Sequence, residues 1–236
     1  MLEVKEIYKT FNPGTVNEKH ALNGVNLTME DGDFITVIGG NGAGKSTLMN
    51  AIAGAWPIDE GTILIDGANV THLPEHKRAA FIGRVFQDPM MGTAATMGIE
   101  ENLALAKRRG KLRTLMPGIK KAERDEYREL LKTLGLGLED RLTSKVGLLS
   151  GGQRQALTLL MATLIKPKLL LLDEHTAALD PATAEKVLEI TRQTVSENRI
   201  TTLMVTHNMH QALELGNRTL MMDKNLIQIV LGNQHS

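Results

Sequence analysis

The sequence contains no cysteine among its 236 residues. The chain therefore cannot use a thiolate nucleophile, and it cannot build zinc or iron–sulfur sites from cysteine ligands. The absence of disulfides fits a reducing compartment, and a chain of this length buries a full hydrophobic core without them. Size and composition predict one large α/β domain, with or without a sizeable insertion.

The sequence also lacks an excess of charge, because 27 lysines and arginines balance 27 aspartates and glutamates. A neutral chain has no basic field to attract phosphodiester backbones, so no nucleic-acid partner is expected. Long apolar runs are missing as well, and the longest, residues 156–165, is too short to span a bilayer. Charges at positions 3, 5 and 6 lead us to expect no signal peptide. Any membrane role would be exercised through another polypeptide.

Glycine is concentrated in residues 39–47, GGNGAGKST, which fit the phosphate-loop pattern G-x-x-x-x-G-K-[ST]. The apolar run 34–38 predicts a buried parallel strand before this loop, and Lys45 would begin a helix. Glycines let backbone N–H groups surround a polyphosphate, and the helix N-terminus adds positive potential. Lys45 would reach the β- and γ-phosphates, and Ser46 would ligate Mg²⁺. The residues predicted to bind nucleotide here are Gly39, Gly40, Asn41, Gly42, Ala43, Gly44, Lys45, Ser46 and Thr47.

Three later strands are predicted to end in polar side chains, at Gln87, at Asp173 and Glu174, and at His207. Open α/β sheets bind ligands at the carboxyl ends of their strands, so these side chains would meet the phosphates. Gln87 and Asp173 are candidate Mg²⁺ ligands beside Ser46. Glu174 is the candidate general base, and His207 would hydrogen-bond the γ-phosphate. With Lys45, we predict that Gln87, Glu174 and His207 form the catalytic set.

A second glycine-rich stretch precedes another helix, at residues 149–155. Ser150 is a candidate helix N-cap, and Gly151 and Gly152 leave backbone N–H groups free at a positive helix end. This is a second potential anion site. A chain that already has a phosphate loop needs another one only if it serves a nucleotide bound by a different subunit.

The N-terminal third shows the alternation typical of strands. Residues 2–8 and about 20–29 predict two antiparallel strands joined by a loop around Pro13. Phe11 at the edge of this loop is the candidate ring for stacking on adenine, and Tyr8 is its rival.

Helical periodicity dominates residues 96–145, which predicts a helical insertion. Its basic cluster, residues 107–113, either faces an anionic partner or lies on a solvated helix face, and the acidic residues that follow favour the second interpretation. A helix is expected from Pro181 to Asn198, and the tail after His207 is expected to form two or three short strands.

Taken together, these segments resemble the ATP-binding cassette family. Residues 39–47 match its Walker A loop, Gln87 its Q-loop and residues 149–153 (LSGGQ) its signature. Residues 169–174 match its Walker B motif, 178–180 its D-loop and His207 its switch histidine, while Phe11 lies where the family's adenine-stacking aromatic usually lies. The likeness covers essentially the whole chain in the right order. It implies an α/β P-loop fold with an antiparallel β subdomain, in which residues 1–95 and 146–236 form the core and 96–145 the helical subdomain.

The resemblance further implies an Mg²⁺-dependent ATPase that forms a head-to-tail dimer. Ser150, Gly151, Gly152 and Gln153 of one copy would contact the ATP held by the other. Further partners would be transmembrane permease subunits and an extracytoplasmic substrate-binding protein, which would place the chain at the cytoplasmic face of the membrane. Residues 173–180 look like those of bacterial importers of the tryptophan or tyrosine uptake type.

One residue departs from the family pattern, since His175 stands where most members have proline. We expect hydrolysis to be intact, because Asp173 and Glu174 are both present. An exporter subunit or a soluble assembly ATPase of the iron–sulfur type remains an alternative, whereas a P-loop kinase would need an arginine-rich lid and would lack LSGGQ.

Overall fold

The structure of the protein is a computed structural model, which describes residues 1–109 and 119–232, with the backbone alone over 228–232. By its internal contacts the chain divides into two compact units. The first unit consists of Met1–Gly83, Pro167–Glu174 and Asn198–Ser236, and the second consists of Arg84–Lys166 and His175–Glu197.

The described part of the chain contains ten strands and seven α-helices. The strands are β1 (Leu2–Phe11), β2 (Lys19–Met29), β3 (Phe34–Gly39), β4 (Glu60–Ile65), β5 (Ala68–Asn69), β6 (Ile82–Val85), β7 (Leu169–Asp173), β8 (Thr202–Val205), β9 (Arg218–Asp223) and β10 (Leu226–Gly232). The helices are α1 (Lys45–Ala53), α2 (Glu75–Arg78), α3 (Ile99–Lys107), α4 (Lys121–Lys132), α5 (Gly151–Thr163), α6 (Pro181–Asn198) and α7 (Met209–Leu215). Over the ranges that the structure describes, no helix combines the length and the hydrophobicity needed to cross a bilayer.

Two sheets organise the strands. One is antiparallel, with the order β2-β1-β4-β5, and the other has six strands in the order β10-β9-β3-β8-β7-β6. In the second sheet β3 runs parallel to both β8 and β9, and β7 runs parallel to β8. The predicted class, an α/β P-loop fold with a mostly parallel sheet and an antiparallel β subdomain, is confirmed.

The core of the first unit explains why β3 and β7 are continuous apolar runs. Both are interior strands of the sheet, and nearly all of their residues are buried, so side chains on both faces of each strand are covered. Ile35, Val37 and Leu171 are completely buried and join the core that α1 also enters through Leu48 and Ile52.

The second unit contains the helices expected in residues 96–145, as α3 and α4. Two cations of the basic cluster form ion pairs with α4, Lys107 with Glu126 and Arg108 with Glu123. These pairs support the interpretation as a solvated helix face. Positions 110–113 of the cluster lie outside the described residues. The helix expected over 181–198 is confirmed as α6.

The expectation for the tail is wrong in one respect, because it contains α7 before the strands β9 and β10. The side chain of Asn208 caps this helix by accepting a hydrogen bond from the backbone N–H of Gln211 at 3.2 Å. Ala212 and Leu215 bury its inner face. Seven residues are too few to produce a clear helical period, which is why the sequence did not reveal the helix.

Candidate nucleotide-binding site

The phosphate loop, residues 39–47, connects β3 to α1 in the first unit. Gly44 occupies the N-cap of α1 with φ 97°, and no side chain caps the helix. The N–H groups of the first helical turn are therefore open to a ligand. A helix N-terminus of this kind favours an anion through both its donors and its dipole.

Two glycines of the loop are required by their surroundings. A Cβ atom on Gly39 would overlap the carbonyl oxygen of Met222, and one on Gly44 would lie 2.5 Å from that of Ala21. Both obstacles are backbone atoms, and both glycines have positive φ values. By contrast, a Cβ on Gly40 would meet nothing within 4 Å. The loop is therefore held closely between neighbouring strands, and it forms the kind of cradle that fits a polyphosphate.

Lys45 is buried, and its ammonium group donates to the carbonyl oxygens of Gly39 at 2.7 Å and Gly40 at 3.0 Å. An ammonium group has three donors, so a third remains for an anion. Burial lowers the pKa of Lys45, and the negative charges of Glu174 and Asp173 partly oppose this shift. The influence of both carboxylates on the ammonium group indicates that the end of β7 faces the phosphate loop.

A cavity of about 200 Å³ opens beside the phosphate loop. Its walls come from β2, the loop itself and the ends of β7 and β8. They are Lys19, Ala21, Asn41, Gly42, Gly44, Lys45, Ser46, Thr47, Glu174 and His207. All of these residues except Lys19 and Ala21 are predicted as site residues from the sequence.

Glu174 and His207 form a hydrogen-bonded pair in this cavity. The Nε2 atom of His207 lies 2.6 Å from Oε1 of Glu174, and the glutamate side chain is 13% exposed against 48% for the histidine. The N–H of Glu174 donates to the carbonyl oxygen of Val205 at 2.9 Å, which ties the end of β7 to the end of β8. Glu174 also has φ 46°, a conformation that costs energy for a residue with a side chain.

This arrangement can support the hydrolysis of a phosphoanhydride. A carboxylate held by an imidazole N–H is placed to accept a proton from water, while Lys45 and the loop N–H groups face the negative charge of phosphate oxygens. Ser46 and Asp173 supply oxygen atoms, which Mg²⁺ prefers as ligands. Within residues 1–109 and 119–232, no group of three histidine or acidic side chains could hold a metal by itself.

The predicted N-cap at Ser150 is confirmed in the second unit. The hydroxyl oxygen of Ser150 accepts a hydrogen bond from the N–H of Gln153 at 3.2 Å, and Oε1 of Gln153 accepts one from the N–H of Ser150 at 3.2 Å. This reciprocal arrangement is a capping box. The role of Gln153 in the capping box was not predicted, although the pattern S-x-x-Q before an apolar run is the recognised signal of this motif.

The two glycines of the signature segment, residues 149–153, allow close helix packing. A Cβ atom on Gly151 would lie 3.1 Å from the side chain of Leu179, and one on Gly152 would overlap the methyl group of Thr183. A second cavity, of about 360 Å³, lies at this place. Its walls are Leu136, Ser150, Gly152, Gln153, Ala182, Thr183, Lys186 and Val187.

Gln87 follows β6 and belongs to the second unit, so its part in binding Mg²⁺ stays a prediction. The backbone just before it is fixed from α5, because the side-chain amide of Gln155 donates to the carbonyl oxygen of Phe86 at 3.0 Å. Gln155 is completely buried.

His175, the residue that departs from the family pattern, is 2% exposed. Its Nε2 atom lies 3.1 Å from the hydroxyl of Thr191 on α6. That hydroxyl donates to the carbonyl oxygen of Val187, so it accepts from the histidine. Burial lowers the pKa of His175 to about 4. The residue is therefore neutral, and it anchors residue 175 to α6.

Both candidate anion-binding helices have an arginine at the C-terminal end. Arg78 donates to the carbonyl oxygens of Ala51 and Ile52 on α1, at 2.7 and 2.8 Å. Arg109 donates to that of Ala162 in α5 at 3.5 Å and to that of Ile165 after α5 at 3.3 Å. Burial lowers the pKa of both guanidinium groups. Each arginine thereby donates to carbonyl groups at or just after the end of its helix, and the Ala51 carbonyl also accepts from the N–H of Gly54 at 3.2 Å.

Comparisons with known proteins identify the family of the chain. The model of the ABC transporter family matches residues 22–177. The chain is 45% identical over 225 residues to a tyrosine transport ATP-binding protein of Clostridioides difficile, covering 95% of this chain and 89% of that protein. It is 37% identical over 227 residues to the methionine import ATP-binding protein MetN of Corynebacterium diphtheriae, covering 94% of this chain and 63% of that protein.

A solved structure is similar over the whole chain. It is the dimeric post-hydrolysis state of the ATP-binding cassette MJ0796 bound to ADP and Pi, with a TM-score of 0.84, 29% identity and 100% of both chains covered. The fold and the site define a nucleotide-binding P-loop ATPase. The chain belongs to the ABC transporter family, and it is an ATP-binding, ATP-hydrolysing cassette.

Proposed function

We propose that the chain powers a membrane importer of an amino acid by hydrolysing ATP. One observation carries the hydrolytic part of this proposal, namely the cavity in which Lys45 and Ser46 meet the pair formed by Glu174 and His207. The names of the relatives, a tyrosine transport protein and a methionine import protein, support import and an amino-acid cargo.

The chemistry follows from the positions of these side chains. The phosphate loop and Lys45 hold the triphosphate, and Phe11 stacks on the adenine. Glu174 takes a proton from water as the water oxygen bonds to the γ-phosphorus, and the bond to the β-phosphate oxygen breaks. His207 orients Glu174 through its Nε2 atom. Ser46 and Asp173 would hold magnesium, whose charge would neutralise the phosphate oxygens, and Gln87 stays a predicted ligand. The products are ADP and inorganic phosphate.

A head-to-tail dimer supplies a reason for the second helix N-terminus. In this arrangement Ser150, Gly151, Gly152 and Gln153 of one copy cover the γ-phosphate bound by the other. The hydroxyl of Ser150 uses its oxygen to cap α5, so its proton remains available for a phosphate oxygen. The dimeric state named for the MJ0796 cassette supports this arrangement. ATP binding would close the dimer, and hydrolysis would let it open.

The motion would be transmitted to permease subunits, which places the chain at the cytoplasmic face of the membrane. An extracytoplasmic substrate-binding protein would deliver the amino acid. The names of two relatives, a tyrosine transport ATP-binding protein and a methionine import ATP-binding protein, support a role in membrane transport. Copurification with a multi-span permease encoded beside the chain, and uptake of a labelled amino acid, would test this part of the proposal.

Replacement of the proposed base tests the catalytic part. We expect Glu174→Gln to reduce ATP hydrolysis at least about a hundredfold while ATP stays bound, because the amide cannot accept the proton. The variant should accumulate as an ATP-bound dimer in size-exclusion chromatography with light scattering.

Glu214→Gln is the matched control, since Glu214 on α7 also pairs with a histidine, His210 at 3.5 Å. Its hydrolysis should equal that of the unmodified chain. Full turnover by Glu174→Gln would contradict the assignment of the base, and a Glu174→Gln protein that stays monomeric with ATP would contradict the dimer.

A further inference from the structure

The chain has a single tryptophan, Trp56, in the segment between α1 and β4. It is 37% exposed, and its ring meets that of Phe11 with centroids 5.1 Å apart and planes at 83°. Edge-to-face contact of this kind is a favoured arrangement of two aromatic rings. Aromatic residues form only 3% of the sequence, so a partly exposed pair is an unusual use of them.

Asp59 fixes the segment that carries Trp56 to the strand that carries Phe11. The N–H of Asp59 donates to the carbonyl oxygen of Tyr8 at 2.9 Å. Its carboxylate accepts from the N–H of Thr10 at 2.6 Å and from the ammonium group of Lys9 at 2.9 Å. Three hydrogen bonds thus set the position of residues 56–59 against the end of β1, so the contact between the two rings does not depend on the rings alone.

The aromatic pair belongs to the same end of the antiparallel sheet as the phosphate-loop cavity. Phe11 is the direct partner of Lys19 in the register of β1 and β2, and Lys19 lines that cavity. When the phosphates of a nucleotide occupy the loop, the ring of Phe11 therefore lies one strand away from the residue that lines the phosphate cavity.

We infer that Trp56 is a positioning residue for the nucleobase. It holds the Phe11 ring by edge-to-face contact in the orientation that stacks on adenine. Trp56 thereby contributes to the affinity for ATP through the base and adds nothing to the affinity for the phosphates. The inference rests on the proposed function, in which Phe11 stacks on the adenine of bound ATP.

Two ligands separate the base from the phosphates, namely ATP and inorganic tripolyphosphate. Both are titrated by calorimetry without magnesium, so that no hydrolysis occurs. We expect Trp56→Ala to weaken ATP binding about three- to tenfold, the range that corresponds to the worth of one aromatic pair. The affinity for tripolyphosphate should not change. Trp56→Phe, which keeps a ring, should recover most of the affinity for ATP.

Tyr8→Ala is the matched control, because Tyr8 is an aromatic residue of the same strand with nearly the same exposure, 38%. It should leave the ratio of the two affinities unchanged. If Tyr8→Ala lowers ATP binding selectively and Trp56→Ala does not, the inference is wrong. An equal loss of both ligands in Trp56→Ala would also contradict it, since that result indicates general distortion.

The unmodified chain provides a test that needs no variant. Trp56 is the single tryptophan of the sequence. Its fluorescence, excited at the long-wavelength edge of the tryptophan absorption band where tyrosine does not absorb, therefore reports this site alone. We expect saturating ATP to change the emission and saturating tripolyphosphate to leave it unchanged. Binding of both ligands with no response from Trp56 would overturn the inference and leave the proposed function intact. Failure to bind either ligand would instead contradict the proposed function.

Discussion

The two helices proposed to face phosphate begin in opposite ways, although glycines precede or open both. α1 starts after Gly44 with no side-chain cap, so its first N–H groups are open. α5 starts after Ser150, whose hydroxyl oxygen accepts from the N–H of Gln153 in a capping box. The first helix therefore begins without a side-chain cap, whereas the second helix has one. This difference agrees with a site in which one copy binds ATP and its partner closes over it.

The glycines at these two helices also serve different physical needs. Gly39 and Gly44 adopt positive φ values with backbone atoms where a Cβ would lie. At Gly151 the space is taken by the side chain of Leu179 before α6, and at Gly152 by that of Thr183 in α6; neither glycine has a positive φ. The phosphate loop thus needs glycine because of its backbone conformation and nearby backbone atoms, whereas the signature segment needs glycine because of side-chain packing. Alanine substitutions should distinguish these two reasons for glycine.

The largest loss of stability is expected for Gly44→Ala. A Cβ at this position would lie 2.5 Å from the backbone oxygen of Ala21, in a conformation that disfavours any side chain. We expect the free energy of unfolding to fall by more than about 3 kcal/mol, measured by urea denaturation. Gly40→Ala is the control, because its Cβ would meet nothing within 4 Å. Equal stability of the two variants would show that the loop does not need glycine at position 44.

A smaller and reversible effect is expected for Gly152→Ala. The added methyl group would overlap the methyl group of Thr183, which is a side-chain obstacle. We expect a loss of about 2 kcal/mol in the free energy of unfolding, most of which Thr183→Ala should restore in the double variant. A double-mutant cycle by urea denaturation measures this coupling. If Thr183→Ala restores nothing, packing against α6 is not the reason for the glycine.

Much of this organisation could be predicted from the sequence, because it depends on local pattern. The apolar run of β3 and the proline at the start of α6 predict their elements directly. The phosphate loop is a contiguous motif whose context, strand before and helix after, is also local. Ser150 could be identified as a cap for the same reason.

The remaining features depend on contacts between distant parts of the chain. Lys19 lines the phosphate-loop cavity only because β2 passes beside the loop, which no local pattern reveals. The pairing of Phe11 with Trp56 joins positions 45 residues apart, counted from 11 to 56. The hydrogen bond between Glu174 and His207 requires the register of β7 and β8, although the sequence placed both residues at the same edge of the sheet.

The smallest effect on stability, and the sharpest test of the comparison, is expected at Ser150. Ser150→Ala removes the cap of α5 and should lower the free energy of unfolding by about 1 kcal/mol. Ser150→Asp keeps an oxygen that accepts from the N–H of Gln153, so its stability should stay close to that of the unmodified chain. Urea denaturation measures both.

The rates of ATP hydrolysis of these two variants should follow the opposite order to their stabilities. An aspartate at position 150 cannot donate to a phosphate oxygen, and its charge repels the γ-phosphate held by the other copy. The alanine variant lacks the donor but introduces no repulsion, so the less stable protein should be the more active one. If stability and hydrolysis fall together in both variants, Ser150 serves only as a cap. The two helix starts would then differ in function as well as in structure, with α1 alone binding phosphate.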